Sequence, residues 1–532
     1  MIFQKIRTWV YKLRYVLLAL VALIPLFYEY SDKKLESVFS EKNDFQVVLL
    51  FIFIILAVCF WYIFIYDKSR GFTDGDFVFL IVAFGLAVRL CYVISTGYMS
   101  RQHDVGGTNG HLDYIKYLYN EKHLPDFDVS KKWQFYHPPL WHTVCALWLK
   151  LCDLLGFAGD GVYESLQCLS LYCSGAIMLI SHKLFKLFKL EKTPLYIALG
   201  IVAFHPTFIM LSGSINNDVS SLTLALAAVV FAIEWYREPK IKTIIPIALA
   251  IGFSMGFKLS GALVAIGVAM LFAVKFFSKE TEKKLPVFGQ FCVFGVICVP
   301  LALWWEIRNF ILYKVPITFV PGLRTYESFE ATPKYSQFIG WRSIGERLFD
   351  ISSIWENGVY PARATEFLID KYGFEYFEHN IPVAAAKSSV FGEYYIGKGE
   401  TLGDILAVIL FYSAVIIALL SLAGGIYTLY KSVKGNGSYK AFKDAEGYDP
   451  MELISTVVYS VVMLISYVSF CFSYPHYCTM DFRYIALITV LGALHLGLLL
   501  RNKKSPKALK IVSALAVALF ALSGTVLYTV FI

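Results

Sequence analysis

Charge is scarce in this chain: Asp, Glu, Lys and Arg make up 17% of its 532 residues, against about 25% in a typical soluble domain. That scarcity excludes a disordered chain, which needs polarity and charge to stay solvated. The ten cysteines (Cys59, Cys91, Cys145, Cys152, Cys168, Cys173, Cys292, Cys298, Cys471 and Cys478) include no CxxC pair and no zinc-like spacing, so neither a redox motif nor a zinc module is encoded. Most lie inside apolar runs and read as small packing residues. Also missing are a Gly-rich phosphate loop, a Ser-His-Asp order, a nucleotide-binding pattern, a solenoid-type repeat and any low-complexity tract. These absences argue against a soluble nucleotide as the substrate carrier.

Apolar sequence is abundant instead. Hydrophobic residues are 57% and aromatics 17% of the chain, and the mean hydropathy is +0.59. A membrane span needs about 20 apolar residues. Thirteen segments qualify, near 15–30, 46–66, 77–98, 162–183, 194–211, 216–236, 243–257, 259–277, 286–306, 402–430, 452–474, 482–500 and 508–531. The expectation is an all-α polytopic membrane protein with about 13 transmembrane helices. Lys5, Arg7, Lys12 and Arg14 precede the first segment, and without a small-residue cleavage site it reads as a retained span.

The stretch 138–155 decides the topology. On a helical projection His142, Ala146, Lys150 and Asp153 share one stripe, and Leu140, Trp141, Val144, Leu147, Trp148, Leu151 and Leu155 cover the rest. Such a helix lies in the interface rather than crossing. With it flat and the N-terminus inside, the clusters Lys183/Lys186/Lys189/Lys192, Arg237/Lys240/Lys242, Lys275/Lys279/Lys283/Lys284, Lys431/Lys434/Lys440/Lys443 and Arg501/Lys503/Lys504/Lys507/Lys510 all fall in the cytoplasm. That is the positive-inside arrangement. The formal charge of +8 is then an orientation signal and not a nucleic-acid surface. The sequon at Asn436 would be cytoplasmic and unmodified. Two hydrophilic segments, 99–137 with its flat helix and 307–401, face outward, so the chemistry is expected there.

In the first external loop Asp104 follows a span closely and precedes Gly106 and Gly107, which permit a tight turn. A short helix is predicted over 109–123, closed by Pro125, and a second opens at Pro138-Pro139. An Asp at a partly desolvated membrane edge gains basicity and suits proton abstraction from a hydroxyl. Five of the ten histidines (His103, His111, His123, His137, His142) lie in the loop and flat helix. A divalent metal held by His103, Asp104 and His111 is one alternative, but their spacing matches no HExxH-like pattern, so no cofactor is firmly assigned and the leading reading of the histidines is hydrogen-bonding or substrate contacts.

Asp104 together with Tyr136-His137-Pro138-Pro139-Leu140 resembles the GT-C superfamily of integral-membrane glycosyltransferases, in particular the branch of protein O-mannosyltransferases and lipid A aminoarabinose transferases. That branch carries an acid early in the first external loop, two membrane-surface helices and a proline pair opening the second. The resemblance covers most of the membrane region but not 307–401. The mannosyltransferase acid is an Asp-Glu pair, whereas Asp104 stands between His103 and Val105, and two additional spans precede the loop. The implied organisation is 1–76 as two extra spans, 77–306 as a catalytic core with external loop 99–155, 307–401 as a mixed external segment, and 402–532 as C-terminal spans.

Other outward polar residues are expected near the same site: Asn217 and Asp218, Lys258 at a tight turn, and Arg483-Tyr484 opening a span. Ionisable groups at membrane depth carry a functional reading by default. Lys258 and Arg483 suit phosphate, while Asn217 and Asp218 suit sugar hydroxyls or loop support. His205 and Arg89 have weaker claims, and Phe391-Gly392-Glu393-Tyr394-Tyr395 offers aromatic surface for an acceptor.

The resemblance implies transfer of a sugar from a polyprenyl-phosphate donor to an acceptor hydroxyl on protein, lipid or glycan, with inversion. Asp104 would be the general base, Lys258, Arg483 and Tyr484 would bind the donor, and His103 and His137 would position substrate. Membrane lipids are the remaining expected partner, and a bacterial plasma membrane is expected ahead of the endoplasmic reticulum. The alternatives are a transporter or flippase for a lipid-linked substrate and a non-catalytic protein of the same fold. A transporter should show paired broken helices in repeated halves with ionisable groups near the midplane; this sequence gathers its polar residues at one face.

Overall fold

The computed structural model describes residues 2–28, 42–69, 71–100, 104–106, 109–157, 160–278, 281, 283–320, 339–356, 358–361, 378–434, 443 and 446–532. Among them ten helices are long and apolar enough to cross a membrane. Two helix pairs pass the same test together but are bent: Lys192–Phe204 with Pro206–Ser212 by 45°, and Tyr477–Ile485 with Leu487–Arg501 by 49°. The apolar helix Ile241–Phe257 completes the set, so every predicted segment falls on a helix or a broken helix. The first begins at Ile6 rather than Tyr15. The protein is an all-α, multi-pass membrane protein, and the only bridge among the described residues is an isolated one between Asp67 and Gly71.

Burial sorts the helices into an inner and an outer set. In Asp74–Ser95 and Asp218–Arg237, 72% and 78% of the apolar window is buried, against 6% in Gln46–Ile65. The last presents Phe51, Ile52, Ile55 and Leu56 outward, as a lipid-facing helix does. Helices approach closely where a side chain is missing. A Cβ on Gly424 would run into the backbone of His495 and Leu496, so Thr401–Lys434 and Leu487–Arg501 meet almost backbone to backbone.

The first bend has a local cause. Pro206 cannot donate to the carbonyl of Val202, and the Thr207 N–H turns to His205 Nδ1 (3.3 Å) instead of continuing the helix. Arg89, fully buried in Asp74–Ser95, donates to the freed carbonyls of Ala203 (2.5 Å) and Val202 (3.3 Å), to Gly85 O (2.9 Å) and to Ser174 Oγ (2.8 Å). Its partners are therefore carbonyls and a hydroxyl, neither an acid nor the membrane surface.

Charged residues collect at the two ends of the bundle. Helix Asp218–Arg237 carries Asp218 at one end, while Arg237 at the other donates to Glu452 (2.6 and 2.9 Å). Around the same end, Lys183 pairs with Glu234 (2.8 Å), and Lys431 and Arg501 pair with Glu446. A 20-residue helix is about 30 Å long, so Asp218 lies a membrane thickness from these pairs.

The two surface helices form over His111–Glu121 and Leu140–Leu154 and pack against each other. The second differs from expectation in which side it buries. His142 and Ala146 face the protein with Trp141, Cys145 and Leu149, and the exposed stripe is Val144, Leu147, Leu151 and Leu154. The polar stripe read from the sequence thus supplies a buried histidine to the interior.

Replacing Arg89 with Met should leave the Val202 and Ala203 carbonyls without donors, at about 1–3 kcal/mol each. The thermal unfolding midpoint of the purified protein in detergent should fall. An unchanged midpoint would show that these bonds contribute nothing.

Candidate functional site

A cavity of about 410 Å³ lies at the Asp218 end of the bundle. Its walls come from the first loop, from the starts and ends of five helices, and from Val315–Val320 of the segment after the span at 284–313. Asp104, Asp218, Lys258, Arg483, Tyr484 and His137, all named from sequence, line it together. Asn217 does not: its Nδ2 donates to Phe257 O (2.7 Å) and braces the turn before Lys258. His205 stacks on Phe482 away from the cavity, with ring centroids 5.6 Å apart. Residues 391–395 are not among the lining residues, which take only Asn309 and 315–320 from the segment 307–401. His103 and Asn436 lie outside the described residues.

Asp104 adopts the left-handed region itself (φ 57°), as does Asn109 (φ 67°). Gly106 does not, and Asp and Asn are the non-glycine residues that best tolerate this region. The Asp104 carbonyl accepts from the N–H of His111 (2.9 Å) and starts the first surface helix. Gly110 is required at this start, because a Cβ there would strike the Val105 carbonyl. Past the helix, Tyr136 O accepts from Trp305 Nε1 (3.1 Å), and Pro139 caps the second surface helix.

Four charges form one chain across the cavity. Lys258 pairs with Asp218 Oδ1. Asp218 Oδ2 pairs with Arg483 Nη1 (3.3 Å), and Arg483 Nη2 pairs with Asp104 Oδ2 (3.1 Å). Formally the chain is neutral, two cations against two carboxylates. Asp218 also sits in the first turn of its helix, where the helix dipole favours a negative charge. The 3₁₀ turn carrying Arg483 is capped by Asp481, whose carboxylate accepts the Arg483 N–H (2.8 Å). Arg483 further donates to the Tyr484 hydroxyl (3.0 Å), and Lys258 lies 5.0 Å above the Tyr484 ring. The buried Nε of Arg483 has no partner among the described residues. The two carboxylates differ in exposure: the side chain of Asp104 is 38% exposed and that of Asp218 6%.

Behind this chain three histidines stack. The ring centroids of His111 lie 5.2 Å from those of His142 and 5.4 Å from those of His137, and His111 Nδ1 shares a hydrogen bond with His142 Nε2 (2.9 Å). Burial pushes His111 down to about 3, assisted by the positive charge of Lys258 and Arg483 and opposed by Asp218. Burial also holds His137 and His142 well below the usual imidazole range. All three are therefore neutral near pH 7, able to donate and accept. Among the described residues no group of three or more His, Cys, Asp or Glu side chains is placed to hold a metal.

Gln134 and Glu306 are polar lining residues that the sequence reading passed over. Glu306 carried a readable signal, an acid at the end of an apolar segment. Gln134 carried none, because only the fold brings it to the cavity that Glu306 also lines.

No protein-family profile matches the chain, and no curated protein matches it. Among solved structures, the chain is similar to the archaeal oligosaccharyltransferase AglB from Archaeoglobus fulgidus in complex with an inhibitory peptide and a dolichol-phosphate, at 12% identity and a TM-score of 0.45. It is also similar to the arabinofuranosyltransferase AftD from Mycobacteria (15%, TM-score 0.42) and to ArnT from Cupriavidus metallidurans bound to undecaprenyl phosphate (12%, TM-score 0.43). These matches cover 85%, 84% and 85% of this chain, and 55%, 26% and 76% of the three solved chains. The chain thus spans about half the length of AglB and a quarter of AftD.

Replacing Asp218 with Asn should strand Lys258 and cost roughly 3–5 kcal/mol, with part of the loss recovered in the Asp218→Asn/Lys258→Met double variant; fully additive losses in detergent unfolding would refute the pairing. The histidines give a separate expectation. Their folded values lie below the unfolded value of about 6.5, so the unfolded chain binds more protons in between and stability falls as pH drops through about 6.5. The unfolding midpoint should decrease from about pH 7.5 to about pH 5.5, and decrease less in His142→Leu. Equal slopes would count against the assignment.

Proposed function

We propose that the protein transfers a sugar from a polyprenyl-phosphate donor to an acceptor hydroxyl. One observation carries this reading: a single cavity at the ends of apolar helices in which two cations, one with an unpaired buried N–H, stand beside a water-accessible carboxylate. A donor of this class keeps its polyprenyl tail among lipids and presents its phosphate at the helix ends. The resemblance of Asp104 and Tyr136-His137-Pro138-Pro139-Leu140 to the glycosyltransferase loop supports the same reading.

In this mechanism Arg483 and Lys258 receive the donor phosphate, exchanging part of their pairing with the carboxylates for the new anion. Asp104, released from Arg483, accepts the proton of the acceptor hydroxyl. The acceptor oxygen bonds to the anomeric carbon as the bond from that carbon to the phosphate oxygen breaks, and the electron pair leaves on the phosphate. Cationic groups held in place before the reaction stabilise that growing charge. In-line displacement inverts the anomeric centre. Asp218 keeps the two cations oriented and supplies a second carboxylate where the mannosyltransferase pattern has a Glu next to its Asp. Tyr484 positions Arg483, and His137, neutral and buried, contacts substrate, with His103 beside the base in sequence.

The domain reading follows: residues 1–76 are two added spans, 77–306 the catalytic core with loop 99–155, 307–401 an external segment and 402–532 the C-terminal spans. The basic ends face the cytoplasm and the cavity faces outward, in a bacterial plasma membrane.

The two broken helices favour the transporter reading in part, since transporters build sites at such breaks. Only one break borders the cavity, however; the other, at His205, is occupied by Arg89. Asp104→Asn distinguishes the readings. With a panel of radiolabelled polyprenyl-phosphate sugars, the purified variant should lose about 10²–10⁴-fold in transfer while still binding polyprenyl phosphate. Near-full transfer in the variant would remove Asp104 as the base, and substrate movement across proteoliposomes that persists in Asp104→Ala would favour transport.

A further inference from the structure

The cavity has further polar lining residues that the proposed chemistry leaves unused. Glu306, at the far end of the long helix Lys284–Tyr313, lines the cavity with its residue 7% exposed, and its Oε2 has no hydrogen-bond partner among the described residues. The nearby cation in sequence is engaged elsewhere: Arg308 donates to Asn309 Oδ1 (2.9 Å) and Pro125 O (2.6 Å) and lies 5.0 Å over the Trp305 ring. Gln134, 3% exposed, lines the same cavity, and its Oε1 is likewise without a partner among the described residues. Trp133 adds a flat, partly exposed ring to that wall.

Buried polar groups without partners are costly. Two that share a cavity describe what would complete it. The side chains of Glu306 and Gln134 both carry acceptor oxygens, so a group that donates hydrogen bonds is received here. Arg483, which lines the same cavity, has its unpaired atom on a donor, the buried Nε, and calls for an acceptor. A ligand that satisfies both carries phosphate oxygens at one end and hydroxyls at the other. A glycosyl phosphate joins these two covalently, and a cavity of about 410 Å³ lies within the size range of small-molecule sites, about 300–1,000 Å³.

We propose that Glu306 and Gln134, with Trp133 as a stacking surface, form the subsite that holds the hydroxyls of the donor's glycosyl group. This inference rests on the glycosyltransferase reading but concerns lining residues that the reading leaves without a role. Glu306 is a specificity-determining residue here: its carboxylate accepts from sugar hydroxyls and rewards only lipid phosphates that carry a sugar.

The test is equilibrium binding by the full-length protein in detergent. The probes are farnesyl phosphate and farnesyl phosphates bearing mannose, glucose or arabinose. At least one sugar-bearing probe should bind wild type about tenfold more tightly than farnesyl phosphate, as one charge-assisted hydrogen bond allows. Glu306→Ala should erase that increment and leave the affinity for farnesyl phosphate unchanged. Glu306→Gln keeps an acceptor and should retain part of it, and Gln134→Ala should lose part. Size-exclusion profiles and unfolding midpoints establish that each variant is folded; if Glu306→Ala is not, Glu306→Gln and Gln134→Ala decide. The inference is overturned if the increment survives in the folded variants, if no sugar increases affinity, or if sugar-bearing and sugar-free probes weaken together. Failure of wild type to bind farnesyl phosphate at all would instead defeat the underlying donor reading.

Discussion

Charge buried at the end of a membrane helix must be compensated by charge from another segment, and in this protein the compensation runs through one guanidinium. Arg483 engages Asp218 through one terminal nitrogen and Asp104 through the other, joining residues 265 and 379 positions away in sequence. A lysine ammonium is a single point and cannot hold two carboxylates in a fixed fork. Much of the local structure serves this contact. The Asp481 cap aims the turn that carries Arg483, the left-handed backbone at Asp104 turns its carbonyl to the first surface helix, and Asn217 fixes the turn before Lys258.

The same contact explains why the absence of an Asp-Glu pair in the first loop leaves the site with more than one acid. The second carboxylate comes from the start of another span, and the shared arginine relates the two. Their unequal exposure gives them unequal work. Asp218, shielded and held between two cations, is suited to orient them. Asp104, reached by water, is the one to which a hydroxyl has access.

The helices were legible in the sequence because a membrane leaves the backbone few options, so apolar length alone locates each span. The ends of spans were legible through lysine and arginine placement, and Asp104, Asp218, Lys258 and Arg483 followed as the ionisable residues left at the opposite end. Pairwise geometry was not. Nothing local says that Asn217 braces a carbonyl while its neighbour Asp218 enters the cavity, since both lie at the start of one helix and their directions depend on packing. His142 was misplaced for a related reason. A helical projection shows which residues share a stripe, but a stripe of mixed polarity can face water or a buried polar cluster, and the partner His111 lies on another helix. In the segment 307–401, Tyr360 packs on Phe391 and Tyr395, with ring centroids 5.0 and 6.0 Å apart, so these aromatics serve each other and do not line the cavity.

Arg89 bears on a different problem. Helices packed through Leu, Val and Ala have many nearly equivalent registers, because one apolar contact substitutes for another as one helix slides along its neighbour. A side chain that joins Asp74–Ser95 to Ser174 in one neighbour and to the kinked carbonyls of another admits a single axial position. The height of three inner helices relative to one another is therefore set by a cluster of hydrogen bonds in the membrane interior, and the loops at their ends inherit that height. The depth at which the charged cavity lies is thus fixed from within the bundle, before any lipid headgroup or substrate reaches it.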